Sequence, residues 1–373
     1  MKIAIIADHH LGYQRFEEDS YAQTEQAIIL ASEQADLIIC AGDIFDTKIP
    51  KLETLKRAVD IFKKAKIPIF AIHGNHERRS KEMTNPVQLL AASTNITLLH
   101  GESKLFEKNG EKIQIFGIGS VPEEYAAIAL KKAMEKYSKI DDGQNILAIH
   151  QTINELVPGS EEGISLEYLE TLPFDLIVNG HIHETITKLG GKLLIPGSTV
   201  ITQLKKSETL PKGYFLYDTA TKKAEFIEVD TRKFFYEELE FHEAGELEIR
   251  EAIQKRIRDI REEHPKAIIA IKIDGTIKKG LTTSDIKLDD YENVYIKNNL
   301  NMESLSATLE RIRGINQDNS SMKEVALKEL REKTKEKVTA FDSAELFEKL
   351  LIGVDETIEY LEKHDLNRQE QKE

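Results

Sequence analysis

Five short apolar runs in this chain each stop in a His, Asp or Asn. IAIIA runs into Asp8-His9-His10, LIICA into Gly42-Asp43, PIFAIH into Gly74-Asn75-His76, ILAI into His150-Gln151, and DLIVN into Gly180-His181-Ile182-His183. Short β-branched and apolar runs bounded by turn residues read as buried strands, not as amphipathic helices. Ligands of such sheets collect beyond the carboxyl ends of the strands. The pattern therefore brings eight metal-capable side chains to one edge of one sheet.

Spacing sorts those side chains. Asp8 and His10 are two apart, so on an extended backbone they share a face and His9 takes the other. The same holds for His181 and His183. Asp43 follows Gly42, where the chain can turn sharply and leave the carboxylate free to bridge two cations. Asn75 adds a carbonyl oxygen and His150 an imidazole. The expected ligands are Asp8, His10, Asp43, Asn75, His150, His181 and His183. Mixed oxygen and nitrogen donors without thiolate favour manganese, iron or zinc over calcium or magnesium. Seven donors exceed what one ion takes, and two ions about 3.5 to 4 Å apart clamp the attacking and leaving oxygens of a phosphoryl displacement. His76, beside a ligand, turns to the substrate side, where an imidazole can stabilise the transition state or protonate a leaving oxygen. Tyr13, Arg78 and Arg79 are candidates for substrate contact.

Composition sets the bounds. The 373 residues, 40% of them apolar, can bury a sizeable core. No apolar stretch approaches the roughly 20 residues of a membrane span, and Ile3–Ala7 meets Asp8 too early for a signal peptide. A cytoplasmic protein is expected. The single cysteine, Cys40, suits a reducing compartment and reads as a small core residue. A net charge of -14 argues against non-specific coating of nucleic acid while leaving room for a local basic groove.

Along residues 1–230, strands alternate with helices at about 16–34, 51–65 and 86–93, the last opened by Asn85-Pro86, a good cap and first helical residue. From Thr97 onward closely spaced strands, GYFLYD among them, predict a second, more antiparallel sheet facing the first. Residues 231–300 then read as β-α-β-β, a small α+β unit. Residues 301–373 are polar and helix-rich. Leu346, Phe347, Leu350, Leu351, Val354, Ile358 and Leu361 form an apolar stripe there, fit to dock on a partner or to pack back on its own domain.

D-x-H, G-D, G-N-H-E, H-Q and G-H-x-H in this order resemble the calcineurin-like metallophosphoesterase superfamily. Within it, ADHHLGY, AGDIFD, GNHE, IHQ and GHIH followed by Pro196-Gly197-Ser198 resemble the Mre-eleven/SbcD family of double-strand-break repair nucleases. The motifs cover residues 1 to about 200, and a weaker likeness reaches about 300. The resemblance implies an α/β, two-sheet metallophosphoesterase sandwich flanked by helices, with a small α+β DNA-capping domain and a helical C-terminal tail. It implies two Mn(II) ions per chain, one on Asp8, His10, Asp43 and His183, the other on Asp43, Asn75, His150 and His181, with His76 catalytic. It also implies 3′ to 5′ exonuclease action on duplex DNA and endonuclease action on single strands. A homodimer through Leu55–Phe62 and Val87–Ala92 is implied too, as is a Rad-fifty/SbcC-type coiled-coil ATPase gripping the C-terminal helices. Such a protein would be nucleoid-associated in a prokaryote. His9 stands where an apolar residue is usual, and Thr152 where glycine commonly follows His-Gln.

Two rival functions fit fewer features. A small-molecule or cyclic-nucleotide phosphodiesterase would not need the extra 140 or so residues, and a non-catalytic scaffold would be expected to lack ligands. GDIFDTKIP also lacks the Asp-Arg-Gly of phosphoprotein phosphatases.

Overall fold

The computed structural model describes residues 1–80, 82–160, 162–302, 327, 330, 342–353 and 356–361. They divide between two compact units. The first is Met1–Glu238 with Gln254–Lys272 and Asp290–Lys297, and the second is Leu239–Ile253 with Ile273–Asp289 and Asn298–Glu373.

The first unit is built on two six-stranded sheets. In one, β1 (Lys2–Ile6), β2 (Leu37–Ala41), β3 (Ile69–Ile72) and β4 (Ile96–Leu98) run parallel. The other holds β5 (Glu102–Lys108), β6 (Glu111–Ile118), β7 (Gln144–Ile149), β8 (Leu176–Asn179), β9 (Ile186–Lys188) and β10 (Leu193–Ile195) in the order β5-β6-β7-β8-β10-β9. The runs are apolar throughout because both faces are covered. Ala4, Ile6, Ile38 and Cys40 face helices α1 (Glu17–Gln34), α2 (Leu52–Phe62) and α3 (Pro86–Ser93). The alternating Ile3, Ile5, Leu37 and Ile39 meet Ile113, Ile115, Ile146 and Val178 between the sheets. Each such side chain, fully buried, contributes about 1.5 to 3 kcal/mol. The expected two-sheet sandwich flanked by helices is therefore present, and Asn85 caps α3 as expected, its Oδ1 accepting from Val87 N at 2.8 Å.

Three expectations are corrected. The five strand ends do not belong to one sheet: β1, β2 and β3 lie in the first, β7 and β8 in the second. The second sheet is not more antiparallel, since β6-β7, β7-β8 and β8-β10 are parallel pairs and only its edge pairs are antiparallel. The connections β6 to β7 and β7 to β8 run through α4 (Ala126–Met134) and α5 (Leu166–Thr171), short helices absent from the sequence expectation, and β8 reaches β10 through β9. Finally, GYFLYD is β11 (Gly213–Asp218), which leaves the second sheet and pairs antiparallel with β1 of the first, with β12 (Lys223–Glu228) outside it.

The α+β segment follows the expected order: β13 (Phe234–Ala244), α6 (Glu246–Glu263), β14 (Ile268–Ile277) and β15 (Val294–Met302), the strands forming a sheet in the order β13-β14-β15. Within the first unit, Phe234, Ile268 and Ala270 pack with Phe16, Val200 and Ile201, and Arg232 is paired with Asp19. Within the second, Gly275 at φ 114° passes so close to the Phe241 carbonyl that no Cβ would fit. Helix α7 (Ser343–Ile352) is capped by Asp342, whose Oδ1 accepts from Ala344 N at 2.9 Å. Of the expected apolar stripe, Phe347, Leu350, Ile358 and Leu361 are exposed. Val354 and the side chain of Leu351 lie outside the described residues, as does most of 303–341.

Candidate metal centre

Matched registers bring the strand ends level. Ile6 pairs with Cys40, Ala41 with Ile72, and Ile149 with Asn179, so the segments that follow emerge together. Beyond β1 the chain continues alongside the segment after β2, with Asp8 N donating to Gly42 O at 3.0 Å and Leu11 N to Ile44 O at 2.8 Å. Asp8, His10, Asp43 and His181 all have left-handed backbones, at φ 53°, 47°, 49° and 74°. Non-glycine residues hold that conformation only where the surroundings over-determine it, a pattern typical of functional sites. The backbone at Asp8 and His10 is thus not extended as the spacing argument assumed, and His9 is fully buried. His9 points into the core between Thr24, Thr199 and Cys40, with ring nitrogens 3.3 Å from each partner.

All seven expected ligands converge. His10 Nε2 is 3.1 Å from His183 Nε2, which is 3.9 Å from Asp8 Oδ1. His150 Nε2 is 3.3 Å from Asp43 Oδ2 and 3.0 Å from Asn75 Oδ1, which lies 2.9 Å from His181 Nδ1. Asp8, His10 and His183 can share one ion, and Asp8, Asp43 and His150 another. His76 is closer to these donors than its assignment to the substrate side implies: a third group joins it to His10 and Asp43, and its ring meets His10 edge-on at 4.8 Å. Its backbone N–H donates to Asp43 Oδ1 at 2.9 Å, and its Nδ1 lies 2.8 Å from Asp46 O.

Electrostatics show why these donors fit divalent cations. Burial pushes the Asp8 carboxyl well above the usual carboxylate range. Burial would raise Asp43 too, but the His150 imidazole outweighs it and holds Asp43 well below that range. Reciprocally, burial would lower His150, but Asp43 pushes it up to about 9. Burial lowers His181 to about 4 and His183 to about 2, so both are neutral and keep a lone pair. With His10 Nδ1–H donating to Asp46 Oδ1 at 3.2 Å, the Nε2 lone pairs of His10 and His183 face each other at 3.1 Å. Facing lone pairs and buried carboxyls are what a bound cation would reconcile. Cys40, buried beside His9, offers no thiolate here.

Two cavities flank the centre. One, of about 490 Å³, is lined by Asn75, His150 and His181 with Arg78, Glu123 and Thr152. The other, of about 460 Å³, is lined by Asp43, Asn75, His76 and His183 with Val157 and Lys205. Arg78 thus stands at the centre. Arg79 is turned to its own loop, donating to Thr84 O at 2.9 Å, and Tyr13 donates to Thr202 O at 2.8 Å. Sequence reasoning assigned no role to Glu77, though it lies inside the G-N-H-E motif. Its buried carboxyl group accepts from Gly74 N at 2.8 Å and Phe45 N at 2.7 Å, tying the loops after β2 and β3 together. It likewise passed over Asp46, inside AGDIFD, and Thr202 and Glu208, which no motif marks.

The calcineurin-like phosphoesterase family model matches residues 1–185, which carry every expected ligand. The double-strand break repair protein MRE11 of Encephalitozoon cuniculi is 27% identical over 259 residues, 58% of this chain and 45% of that protein, so the chain spans under half of that relative's length. The DNA double-strand break repair protein Mre11 of Methanocaldococcus jannaschii is 28% identical over 349 residues, 85% of this chain and 92% of that protein. That of Methanococcus maripaludis is 30% identical over 261 residues, 63% of this chain and 68% of that protein. With that identity across two thirds of a relative, and with the full donor set assembled at the strand ends, the chain belongs to the Mre11 family of calcineurin-like phosphoesterases.

Proposed function

We propose that the chain is a divalent-cation-dependent DNA nuclease acting in double-strand-break repair. The observation that carries the reading is the convergence of Asp8, His10, Asp43, Asn75, His150, His181 and His183 beside the ring of His76. When bound, two cations supply Lewis-acid polarisation of a phosphodiester and lower the pKa of a nucleophilic water. Asp8, His10, Asp43 and His183 would hold the first, and Asp43, Asn75, His150 and His181 the second. Manganese suits this mixed nitrogen and oxygen set.

The chain's own groups do the rest. The Asp46 carbonyl can only accept, so the His76 Nδ1, 2.8 Å away, carries a proton. Only as the imidazolium, with the Asp46 carboxylate 3.6 Å from Nδ1 as counter-charge, does the ring carry a second proton, on Nε2; passing that proton to the departing sugar oxygen would leave the neutral ring with Nδ1–H still on the Asp46 carbonyl. Arg78 lines the adjoining cavity, which supports a role for it in holding a neighbouring phosphate.

The finer reading follows the family. It comprises 3′ to 5′ exonuclease action on duplex ends, endonuclease action on single strands, a capping role on DNA for residues 231–300, and a coiled-coil ATPase partner bound by residues 301–373. Exposed Ile49, Leu52, Met83 and Leu89 around α2 and α3 support a homodimer through those helices. Among the described residues no helix is long and apolar enough to cross a membrane.

The test compares linear duplex DNA with bis-p-nitrophenyl phosphate in the presence of Mn²⁺. Degradation of DNA is expected, and His76→Ala should keep cation binding while losing about 10²- to 10⁴-fold in rate. Rapid turnover of the small diester with DNA left intact would overturn the nuclease reading in favour of a small-molecule phosphodiesterase.

A further inference from the structure

Two of the site's imidazoles are each backed by the same chain of groups. His183 Nδ1 lies 2.5 Å from Thr202 Oγ1, which lies 3.0 Å from Glu208 Oε1. His181 Nε2 lies 3.0 Å from Thr152 Oγ1, which lies 2.7 Å from Glu123 Oε1. A threonine hydroxyl has one proton to give, and an ionised carboxylate can only accept. In both chains that proton therefore goes to the glutamate. The hydroxyl oxygen is left as an acceptor, and the ring must meet it with an N–H.

The consequence differs between the two rings because they meet their threonines through different nitrogens. His183 is protonated on Nδ1 and keeps its lone pair on Nε2, the atom 3.1 Å from His10 Nε2 and 3.9 Å from Asp8. His181 is protonated on Nε2 and keeps its lone pair on Nδ1, the atom 2.9 Å from Asn75 Oδ1. We infer that Thr202–Glu208 and Thr152–Glu123 are paired positioning relays that hold His183 and His181 as opposite neutral tautomers, each aiming its free nitrogen at one half of the cation-binding set. The inference rests on the reading of this site as a metal centre.

The relays are unequal. Glu208 is buried and lies 2.7 Å from the equally buried Lys212 Nζ. That amine also donates to Ser198 Oγ at 2.9 Å, so the His183 relay is anchored in a dry, charge-balanced pocket. The Glu123 side chain is half exposed, so water can replace it as the acceptor for Thr152. Partners that orient a metal-binding histidine typically change metal affinity by about 10- to 100-fold when removed, and the buried relay should fall in that range.

The experiment uses the full chain labelled with ¹⁵N-histidine, cation-free, and then titrated calorimetrically with Mn²⁺. Imidazole ¹⁵N shifts should show His183 as the Nδ1–H form and His181 as the Nε2–H form, each assigned by the loss of its signals in His183→Asn or His181→Asn. Thr202→Val, equal in shape but without the hydroxyl, should mix the His183 tautomers and weaken Mn²⁺ binding at least tenfold. Thr202→Ser should restore both. Thr152→Val should mix the His181 tautomers with a smaller loss of affinity. Glu208→Gln gives an independent route to the first result should the valine variant fold poorly. The proposal is overturned if the two rings share one tautomer, or if Thr202→Val and Glu208→Gln both bind Mn²⁺ as the parent does. A parent protein that binds no Mn²⁺ at all would refute the metal-centre reading instead, and the ¹⁵N pattern would still judge the relays.

Discussion

Loading this centre with a cation should expel protons, and the structure sets how many and over what pH range. Without a cation, His150 and Asp43 form a buried ion pair at 3.3 Å, with His150 pushed up to about 9. A metal can bind His150 only through the nitrogen lone pair, so the imidazolium proton must leave. At pH 6.5, which is 2.5 pH units below that value, displacing the proton costs about 3 kcal/mol. The apparent affinity should therefore rise close to tenfold per pH unit, about 30-fold between pH 6.5 and 8. That slope corresponds to one proton released per chain, from His150; burial raises Asp8 as well, so any proton it carries would add to the count and steepen the rise. Calorimetric titration with Mn²⁺ in buffers of different ionisation enthalpy counts them directly. His150→Gln, which has no such proton, should bind more weakly and flatten the dependence. Flat affinity from pH 6.5 to 8 with no proton released would refute the ion-pair argument.

Other perturbations probe the frame of the site. Burial pushes Glu77 up to about 8 from an ordinary 4.5, with Asp43 adding to the rise. Its contribution is therefore complete below pH 4.5 and lost as pH climbs through 8, up to about 5 kcal/mol in the cation-free protein. Denaturant melts from pH 5 to 9 should show that decline, and Glu77→Gln should flatten it; equal slopes for both proteins would contradict it. Gly74→Ala would drive a methyl into the Asp43 carboxylate and backbone N. It should cost about 1 to 3 kcal/mol and abolish cation binding, which melting and calorimetry would read together. Cys40, fully buried and with its thiol pushed up by burial, should resist iodoacetamide in the native protein and react only on unfolding.

The candidate ligands were legible in the sequence because each closely follows a run apolar enough to be a buried strand. Their partition between two sheets was not, since apolar runs of four to six residues carry no record of which neighbour they pair with. The pairing of β11 with β1 joins residues about 210 positions apart, and no local pattern reports it. Helices α4 and α5, nine and six residues long, are too short for their periodicity to stand out among strands. Orientation of His9 was inferred correctly from a geometry the chain does not adopt, because alternation of side survives the left-handed turns at Asp8 and His10. The relays to Thr202 and Glu208 escaped altogether. They come from an irregular stretch after the last motif, where only three-dimensional proximity reveals a role.

The left-handed backbone at Asp8, His10, Asp43 and His181 makes the working edge a local energetic debt that the sheets beneath it carry. Replacing one of these residues by glycine relieves about 1 to 2 kcal/mol of steric conflict while deleting a candidate ligand. Inactivating substitutions at these positions should therefore leave a folded, abundant protein instead of a degraded one. A cell carrying such an allele should keep a well-formed, inert protein at near-normal abundance, which immunoblotting beside a destabilised core variant would show.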